Sequence, residues 1–422
     1  MFDSKKIDNF FEEGSLASGR TSGKSGHMAL RRAIKLGFPC VAAALLGLMI
    51  VFPKIKKSVD LQDNITIPRK SEMEKMHMEE TVFYSTDKKN RVNKIVADRV
   101  DEVEPGSKVL KIINPKGWVP TDDGKLVITA DKGYFDQNAS VLKLKKNVKA
   151  VLNEKTTVTT EEATYDFNNE SGFGSQDVKA VGDWGIMEAE GFTFSKAASL
   201  LVLTGFNKVT NEKGVISAEK ETRIYQKENK TESYGNARVE QKGGHLTADK
   251  IVAYFTDKGK KELLRAEAYG NVVVKTADKT ARGAKGQYVP KIGEIVLYGK
   301  DDGAGRAEIS SADGVVRAYK IVGYLSDAKK KELVRAVITG NVEIVSPKGS
   351  AFGDRGVYNL ATNTIELFDN VKIVREGNFI SGAHAETNLL TKISKIDGDG
   401  KTGGRISGTF YKKGKKNENK RR

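Results

Sequence analysis

The 422-residue chain is poor in cysteine and proline, two residue types that constrain many exported proteins. Cys40 is the only cysteine, so an intramolecular disulfide is excluded, and its place inside an apolar run favours a small core residue. There are only 8 prolines, and almost no helical periodicity after residue 80. The sequence therefore predicts a β-rich protein held together by apolar burial and backbone hydrogen bonds alone.

Residue patterns that indicate catalysis are also missing. The four histidines are far apart in the sequence and have no nucleophile or ligand set at a useful spacing; they are His27, His77, His245 and His384. No glycine loop of the GxxxxGK type is present to bind a nucleotide. We therefore predict no enzyme activity, no metal and no cofactor. If the function of the protein requires energy, another protein must supply it.

What the chain does have is an internal repeat of 70 residues. Residues 248–297 and 318–367 align without a gap, and the shared residues extend over the whole length. Examples are Lys250/Lys320, Tyr254/Tyr324, Gly270-Asn271-Val272/Gly340-Asn341-Val342, Gly283/Gly353, Gly286/Gly356 and Leu297/Leu367. Self-similarity at this period indicates stacked structural units, each in contact with its neighbours.

Each repeat divides into half-units of about thirty residues that can be followed toward the N-terminus. The half-units open on steps such as Ala130-Asp131-Lys132, Ala218-Glu219-Lys220 and Ala248-Asp249-Lys250, and close on steps such as Asn147-Val148, Gly235-Asn236 and Asn370-Val371. Between them lie alternating apolar runs split by turn residues such as Asp136-Gln137-Asn138, which predicts antiparallel hairpins. A carboxylate repeated once per unit (Asp131, Glu219, Asp249) is better explained by a ladder or a turn than by acid–base chemistry.

An uncharged run from Leu36 to Pro53 lies between Arg31, Arg32 and Lys35 on one side and Lys54, Lys56 and Lys57 on the other. As a helix it would be about 27 Å long, close to the thickness of a bilayer core. We favour an uncleaved anchor whose apolar side chains include Leu36, Val41, Leu45, Leu46, Leu48, Ile50 and Phe52. A cleaved signal peptide and a buried soluble helix are the alternatives. Basic residues flank both sides, so the orientation is inferred from the long β-rich segment, which such anchors usually export.

The formal net charge of +16 could indicate attraction to phosphorylated lipid or to nucleic acid. Nucleic acid is disfavoured because basic and aromatic residues do not interleave. Lysines beside turns, such as Lys260-Lys261 and Lys330-Lys331, more commonly keep sheets soluble and protect their edges. The basic tail, residues 411–422, is expected to be disordered.

The ordered combination of these features resembles the periplasmic bridge of lipopolysaccharide export. A short polar start, one anchor, a linker, Glu80-Thr81-Val82-Phe83-Tyr84, Ile112-Ile113-Asn114-Pro115 and the run 126–148 resemble LptC. From about Gly243 onward, His245-Leu246-Thr247-Ala248-Asp249-Lys250-Ile251 and Gly270-Asn271-Val272 are similar to the OstA pattern of LptA. The chain departs from the family's usual pattern because the two kinds of segment are joined in one polypeptide.

The resemblance implies an all-β fold, an elongated twisted antiparallel β-jelly roll of OstA-like stacked hairpins with one N-terminal transmembrane helix. The expected segments are a cytoplasmic tail (1–30), the anchor (31–57), a linker (58–78), an LptC-like β-jelly roll (79–225), LptA/OstA-like repeats (226–410) and the basic tail (411–422). We expect the protein in the inner membrane, single-pass, with most of the chain in the periplasm.

The resemblance also implies a passive conduit that binds lipopolysaccharide acyl chains in an apolar groove and passes them toward the outer membrane. The expected partners are lipopolysaccharide, the membrane subunits of an inner-membrane ABC transporter, and an LptA-like or LptD-like β-jelly roll that joins edge to edge. The candidate lining is Leu142, Leu144, Leu201, Leu203, Ile251, Phe255, Ile295, Leu297, Ile321, Leu325, Ile365 and Leu367. A dry core is the alternative for these side chains, and a membrane-anchored β-solenoid scaffold or adhesin without lipid is the alternative function.

Overall fold

The computed structural model describes residues 76–86, 91–121, 124–257, 262–300, 305–326, 333–391, 393–398 and 405–409. The described residues divide into two compact units, an N-terminal unit within residues 76–237 with residues 254–257 and 262, and a C-terminal unit within residues 238–253 and 263–409. The proposed anchor (31–57), the lysine pairs 260–261 and 330–331, and the tail (411–422) lie outside the described residues. No helix in the described part is long and apolar enough to cross a membrane.

Fifteen strands lie wholly or mainly in the N-terminal unit. They are β1 (His77–Thr86), β2 (Val92–Glu102), β3 (Val109–Ile113), β4 (Lys116–Thr121), β5 (Gly124–Thr129), β6 (Lys132–Asp136), β7 (Val141–Leu152), β8 (Thr156–Asp166), β9 (Ser171–Gly174), β10 (Val178–Gly182), β11 (Gly185–Ser195), β12 (Leu200–Asn211), β13 (Gly214–Ala218), β14 (Glu221–Tyr225) and β15 (Lys230–Gln241).

The C-terminal unit holds thirteen strands in its described part and a 3-10 turn at Pro290–Ile292. The strands are β16 (Gly244–Phe255), β17 (Leu263–Thr276), β18 (Lys279–Val289), β19 (Glu294–Tyr298), β20 (Ala307–Ser311), β21 (Gly314–Ala318), β22 (Lys320–Leu325), β23 (Leu333–Ser346), β24 (Gly349–Asn359), β25 (Thr364–Arg375), β26 (Asn378–Asn388), β27 (Ser394–Asp397) and β28 (Ser407–Thr409).

The hairpins form where the turn chemistry predicts them. Between β6 and β7, the carboxylate of Asp136 accepts hydrogen bonds from the backbone N–H groups of Asn138 and Ala139, both at 2.9 Å. Asp166 does the same for the turn between β8 and β9. Such side-chain acceptors stabilise a tight reversal of the chain. The predicted all-β, antiparallel architecture is confirmed for the described residues.

The long strands bend in the middle and thereby take part in two hydrogen-bonded ladders. In β7, residues 141–145 pair with β6, whereas residues 149–152 pair with β5. The first ladder of the N-terminal unit contains β3, β6, β9, β14 and one half each of β7, β8, β11 and β12. The second contains β4, β5, β10, β13 and the other halves.

The C-terminal unit repeats this plan. Its first ladder contains β19, β22, β27 and one half each of β18, β23, β24, β25 and β26. Its second ladder contains β20, β21, β28 and the other halves. Because the long strands bend from one ladder into the other, the two ladders of each unit form two walls that meet at the bends, and the side enclosed by the bend is its interior.

The bends explain the repeated opening and closing steps of the sequence. At each bend the register shifts by a bulge, for example between Tyr269 and Val272, and Gly270 and Asn271 have positive φ angles of 70° and 48°. The side-chain amide of Asn271 donates to the Asp249 carboxylate at 3.0 Å. Equivalent amide–carboxylate bonds join Asn114/Asp98, Asn147/Asp131, Asn236/Glu219 and Asn370/Asp354. The repeated carboxylate therefore has a structural role, as predicted.

Candidate functional site

The interior of the C-terminal unit has an apolar first wall. Leu297 on β19 is in register with Ile321 on β22, and Ile321 with Ile338 on β23. Leu367 on β25 reaches the same row through Gly356 of β24. Because residues directly opposite in a ladder share a face, these side chains form one continuous apolar row. The sequence-predicted residues Ile295 and Ile365 lie on this same face, two positions along their strands.

The second wall carries an apolar row whose residues were not among the predicted lining residues. Ile309 pairs with Val316, Val316 with Ile344, and Ile344 with Ala351. The row continues through Ile373 and Ile380. Except for Val316, these residues are only partly buried, so the second wall keeps apolar surface accessible. Val274 and Ile344 occupy equivalent positions in the 70-residue repeat. This repeated apolar position is the sequence signal that could have predicted the second wall.

A row of small residues lines the crease where the two walls meet. Its members are Gly283, Ala307, Ala318, Val342, Gly353, Val371 and Gly382, and all four with Cβ atoms are fully buried. A Cβ atom added to Gly283 would lie 2.7 Å from Leu297 Cδ1 and 2.6 Å from the Tyr298 carbonyl oxygen. The small residues therefore let the walls approach at the crease, while the larger side chains lie farther out.

The opposite, outer face of the second wall carries a row of charged pairs next to the crease. Glu308 accepts from the Arg317 Nε at 2.8 Å and lies 3.8 Å from Arg282 Nη1. Glu343 pairs with Arg306 and Arg317. The hydrogen bond that Arg317 donates to Glu308 raises the pKa of Arg317 above its usual value. The charged row thus lies next to the crease on the outer face, and its pairs favour this register.

The outer face of the first wall is covered by cationic and aromatic side chains. The Lys285 ammonium lies 5.1 Å from the Tyr269 ring centroid, and Lys320 lies 5.3 Å from that of Tyr298. Next to this row, Val296 and Val322 are buried on the outer face, just as Leu297 is buried on the inner one. Burial alone therefore does not separate the two faces of this wall, and the register has to be used.

The interior of the N-terminal unit is filled by aliphatic and aromatic side chains. The predicted lining residues Leu142, Leu144, Leu201 and Leu203 are all on its inner face and are fully buried. They belong to one hydrophobic cluster that extends from Ile95 to Leu203. Its aromatic members were not among the predicted lining residues; they include Phe135, Tyr165, Phe167 and Phe194. In this unit the predicted residues pack on one another.

A buried polar cluster follows Leu203 in the N-terminal unit. The Thr222 hydroxyl donates to Asn207 Oδ1 at 2.6 Å and lies 3.1 Å from the Ser233 hydroxyl. The Asn207 amide donates to the Gly205 carbonyl at 3.0 Å. All three side chains are buried, and the hydrogen bonds offset the cost of removing them from water. The apolar interior of this unit therefore has a polar boundary.

The remaining predicted lining residues, Ile251, Phe255 and Leu325, are held by other contacts. Ile251 is buried and Phe255 half-buried, both on β16, and the Phe255 amide donates to the Asn229 carbonyl at 2.9 Å. Leu325 ends β22 and packs against Gly293, whose carbonyl accepts the Leu325 amide at 2.9 Å. In the described part of the chain, no group of three or more potential ligands is placed to hold a metal ion.

Comparison with known families agrees with the two kinds of segment. Residues 39–212 match the family described as lipopolysaccharide-assembly, LptC-related, and residues 304–392 match the LptA/LptD N-terminal domain family of lipopolysaccharide transport proteins. A search of the curated proteins gives no match.

Among solved structures, one similar chain is the crystal structure of LptH, the LptA-homologous periplasmic component of the lipopolysaccharide transport device from Pseudomonas aeruginosa. The identity is 18%, the TM-score is 0.19, and the alignment covers 40% of this chain and 94% of that one. The two family matches thus show an LptC-like segment joined to an LptA-like segment in one chain, as the sequence predicts.

Proposed function

We propose that this protein is a component of the lipopolysaccharide transport bridge and that it holds acyl chains between the two walls of its C-terminal unit. The observation that carries the proposal is the partly exposed apolar row Ile309, Ile344, Ile373 and Ile380, which runs beside the crease of small residues on the inner face of the second wall. The two family matches support the same ligand class.

The physical reason for such a groove is the cost of exposing acyl chains to water. Each buried CH₂ group contributes about 0.8 kcal/mol, so a lipid with several long chains crosses an aqueous compartment very slowly without cover. A groove with a continuous apolar lining keeps that contribution nearly constant from one position to the next. The sugars and phosphates remain in water, because burying unpaired charge is far more costly.

The proposal includes a passive role and external energy. The sequence contains no GxxxxGK loop, so an inner-membrane ABC transporter would drive net movement. The apolar run 36–53 would anchor the chain in the inner membrane, with its β-rich part in the periplasm. Among the described strands, β1 pairs with β2 alone, and β27 and β28 each pair with β26 alone. Such edges fit edge-to-edge addition of an LptA-like or LptD-like β-jelly roll.

The experiment uses two adjacent positions of β23 that differ in the face they occupy. Ile344 is on the inner face and Val345 is on the outer face, and both are partly buried. A photo-crosslinking residue is placed at each position in the full-length protein in cells, and the adducts are probed for lipid A. We expect an adduct at position 344 and little at 345. Ile373 and Val374 on β25 provide a second matched pair.

Equal labelling at both faces would contradict a groove between the walls. No adduct at either position, with the protein folded and present at the normal level, would favour a scaffold without lipid. Because the two positions of each pair are neighbouring apolar residues on one strand, a difference in labelling between them reports the face and not the local stability.

A further inference from the structure

Tyr165 on β8 places a hydroxyl group inside an otherwise apolar core. Its side chain is 0% exposed, and its hydroxyl has no hydrogen-bond partner among the described residues. Buried hydroxyls in proteins nearly always have a partner, because losing the bonds to water is costly unless they are replaced. A phenylalanine would fill the same space without this cost, so the hydroxyl calls for an explanation.

The surroundings of Tyr165 are apolar on several sides. Leu142 lies directly opposite on β7, the Phe167 ring centroid is 4.8 Å away at 84°, and the Phe194 ring is stacked at 5.8 Å. Burial raises the pKa of Tyr165, and the charges of Glu170 and Asp166 raise it further. The phenol therefore stays neutral over the physiological range and keeps its O–H as a hydrogen-bond donor.

Phenylalanine rings fill the interior beside Tyr165, in the space that the missing side chains of two glycines leave free. Gly172 is the residue opposite Tyr165 on β9, and a Cβ atom there would lie 2.5 Å from Phe194 Cε1. Gly174 has the same relation to Phe192, also at 2.5 Å. The space next to the tyrosine is thus taken by the ends of phenylalanine side chains, and a bound chain would have to displace them.

We propose that the Tyr165 hydroxyl binds the ester carbonyl of an acyl chain that enters the interior of the N-terminal unit. An ester carbonyl accepts a hydrogen bond and brings no donor of its own into the apolar surroundings. An amide would add an N–H and a sugar several hydroxyls, which would all need partners, and a phosphate would bring buried charge. This inference rests on the proposed lipid-binding function and adds a specificity-determining residue to it.

The test compares the full-length wild type, Tyr165→Phe and Tyr134→Phe in mild detergent. Tyr134 precedes Phe135 on β6 and so lies on the opposite face, which makes it a matched control for loss of a hydroxyl. The probes are lipid A and a synthetic analogue whose ester-linked chains are replaced by ether-linked chains of equal length. Affinities are measured by titration, and thermal midpoints by circular dichroism.

We expect the wild type and Tyr134→Phe to bind lipid A about 5- to 10-fold more tightly than the ether analogue, the size expected for one hydrogen bond. Tyr165→Phe should bind both probes with the affinity of the wild type for the ether analogue. Its thermal midpoint should equal or exceed that of the wild type, because an unpartnered buried hydroxyl has been removed.

Unchanged lipid A affinity in Tyr165→Phe would overturn the inference while leaving the proposed function intact. A drop in the thermal midpoint of this variant together with unchanged affinity would assign the hydroxyl to a buried water molecule. If the wild type captures neither probe, the proposed function itself fails. The ether analogue keeps these outcomes apart, since it reports apolar binding without the carbonyl.

Discussion

The two units share a plan of bent strands in two ladders, but their interiors differ. In the N-terminal unit, β7 alternates between fully buried and more exposed residues, and its buried side joins a cluster of leucines and aromatic rings. In the C-terminal unit, nearly every residue of β18 and β26 is partly exposed on both faces. The difference shows that this frame does not require a filled core. Backbone ladders and bends can hold the walls while the space between them varies.

The largest expected effect of this difference is on the free energy of unfolding that is lost when an interior side chain is truncated. Leu203 is fully buried, so Leu203→Ala should lower the free energy of unfolding of its unit by about 2–5 kcal/mol. Ile344→Ala should cost about 1 kcal/mol in the C-terminal unit, because Ile344 already has contact with solvent. Hydrogen exchange with mass spectrometry in increasing denaturant reports each unit separately. Equal losses in both units would mean that the C-terminal interior is closed as well.

The glycines of the interior provide a second, smaller test. In the N-terminal unit, a Cβ at Gly172 would lie 2.5 Å from Phe194 Cε1 and 2.9 Å from the Thr164 carbonyl oxygen. At Gly353 in the C-terminal unit the nearest atom, the Phe368 carbonyl oxygen, would be 3.3 Å away. We expect Gly172→Ala to cost about 1–3 kcal/mol and Gly353→Ala to be nearly neutral, since alanine also restricts the unfolded chain.

Gly283 lies 70 residues before Gly353 and provides a third variant for this test. Thermal denaturation compares Gly172→Ala, Gly353→Ala and Gly283→Ala. Its added Cβ would lie 2.6 Å from the Tyr298 carbonyl oxygen, so Gly283→Ala should behave like Gly172→Ala. The expected difference is then local to the second copy of the repeat. A large loss at Gly353 equal to that at Gly283 would show that both copies have the same tight crease.

The sequence predicts the repeated frame well and the interior less well. The opening and closing steps mark the bends because positive φ angles demand glycine or asparagine there, as at Gly270-Asn271. The first wall is also predictable, because Leu297 and Leu367 alternate with outward residues. Tyr165 and the Asn207–Thr222 bond could not be predicted, because they depend on which residues are opposite each other across ladders. That register is set by hairpin pairing over distances the local pattern does not encode.

The smallest expected effect concerns the bends, which are the part that the two units share. Asn147 in the N-terminal unit and Asn370 in the C-terminal unit each donate to an aspartate, at 2.8 and 2.7 Å. Replacing either by glycine keeps the positive φ angle accessible and removes the bond, so each change should cost about 0.5–1 kcal/mol.

Asn341 is the control for the bends, because the position equivalent to Asp249 is Tyr319, which has no carboxylate. The backbone carbonyl of Asn341 accepts from Arg306 Nη1 at 3.0 Å, and a glycine retains that bond. Asn341→Gly should therefore cost less than Asn147→Gly or Asn370→Gly in denaturant titrations that follow each unit. Equal costs at the two aspartate-bound positions would show that the units differ in their interiors and not in their bends. A much larger cost at Asn147 would instead indicate that this bend is coupled to the filled core of the N-terminal unit.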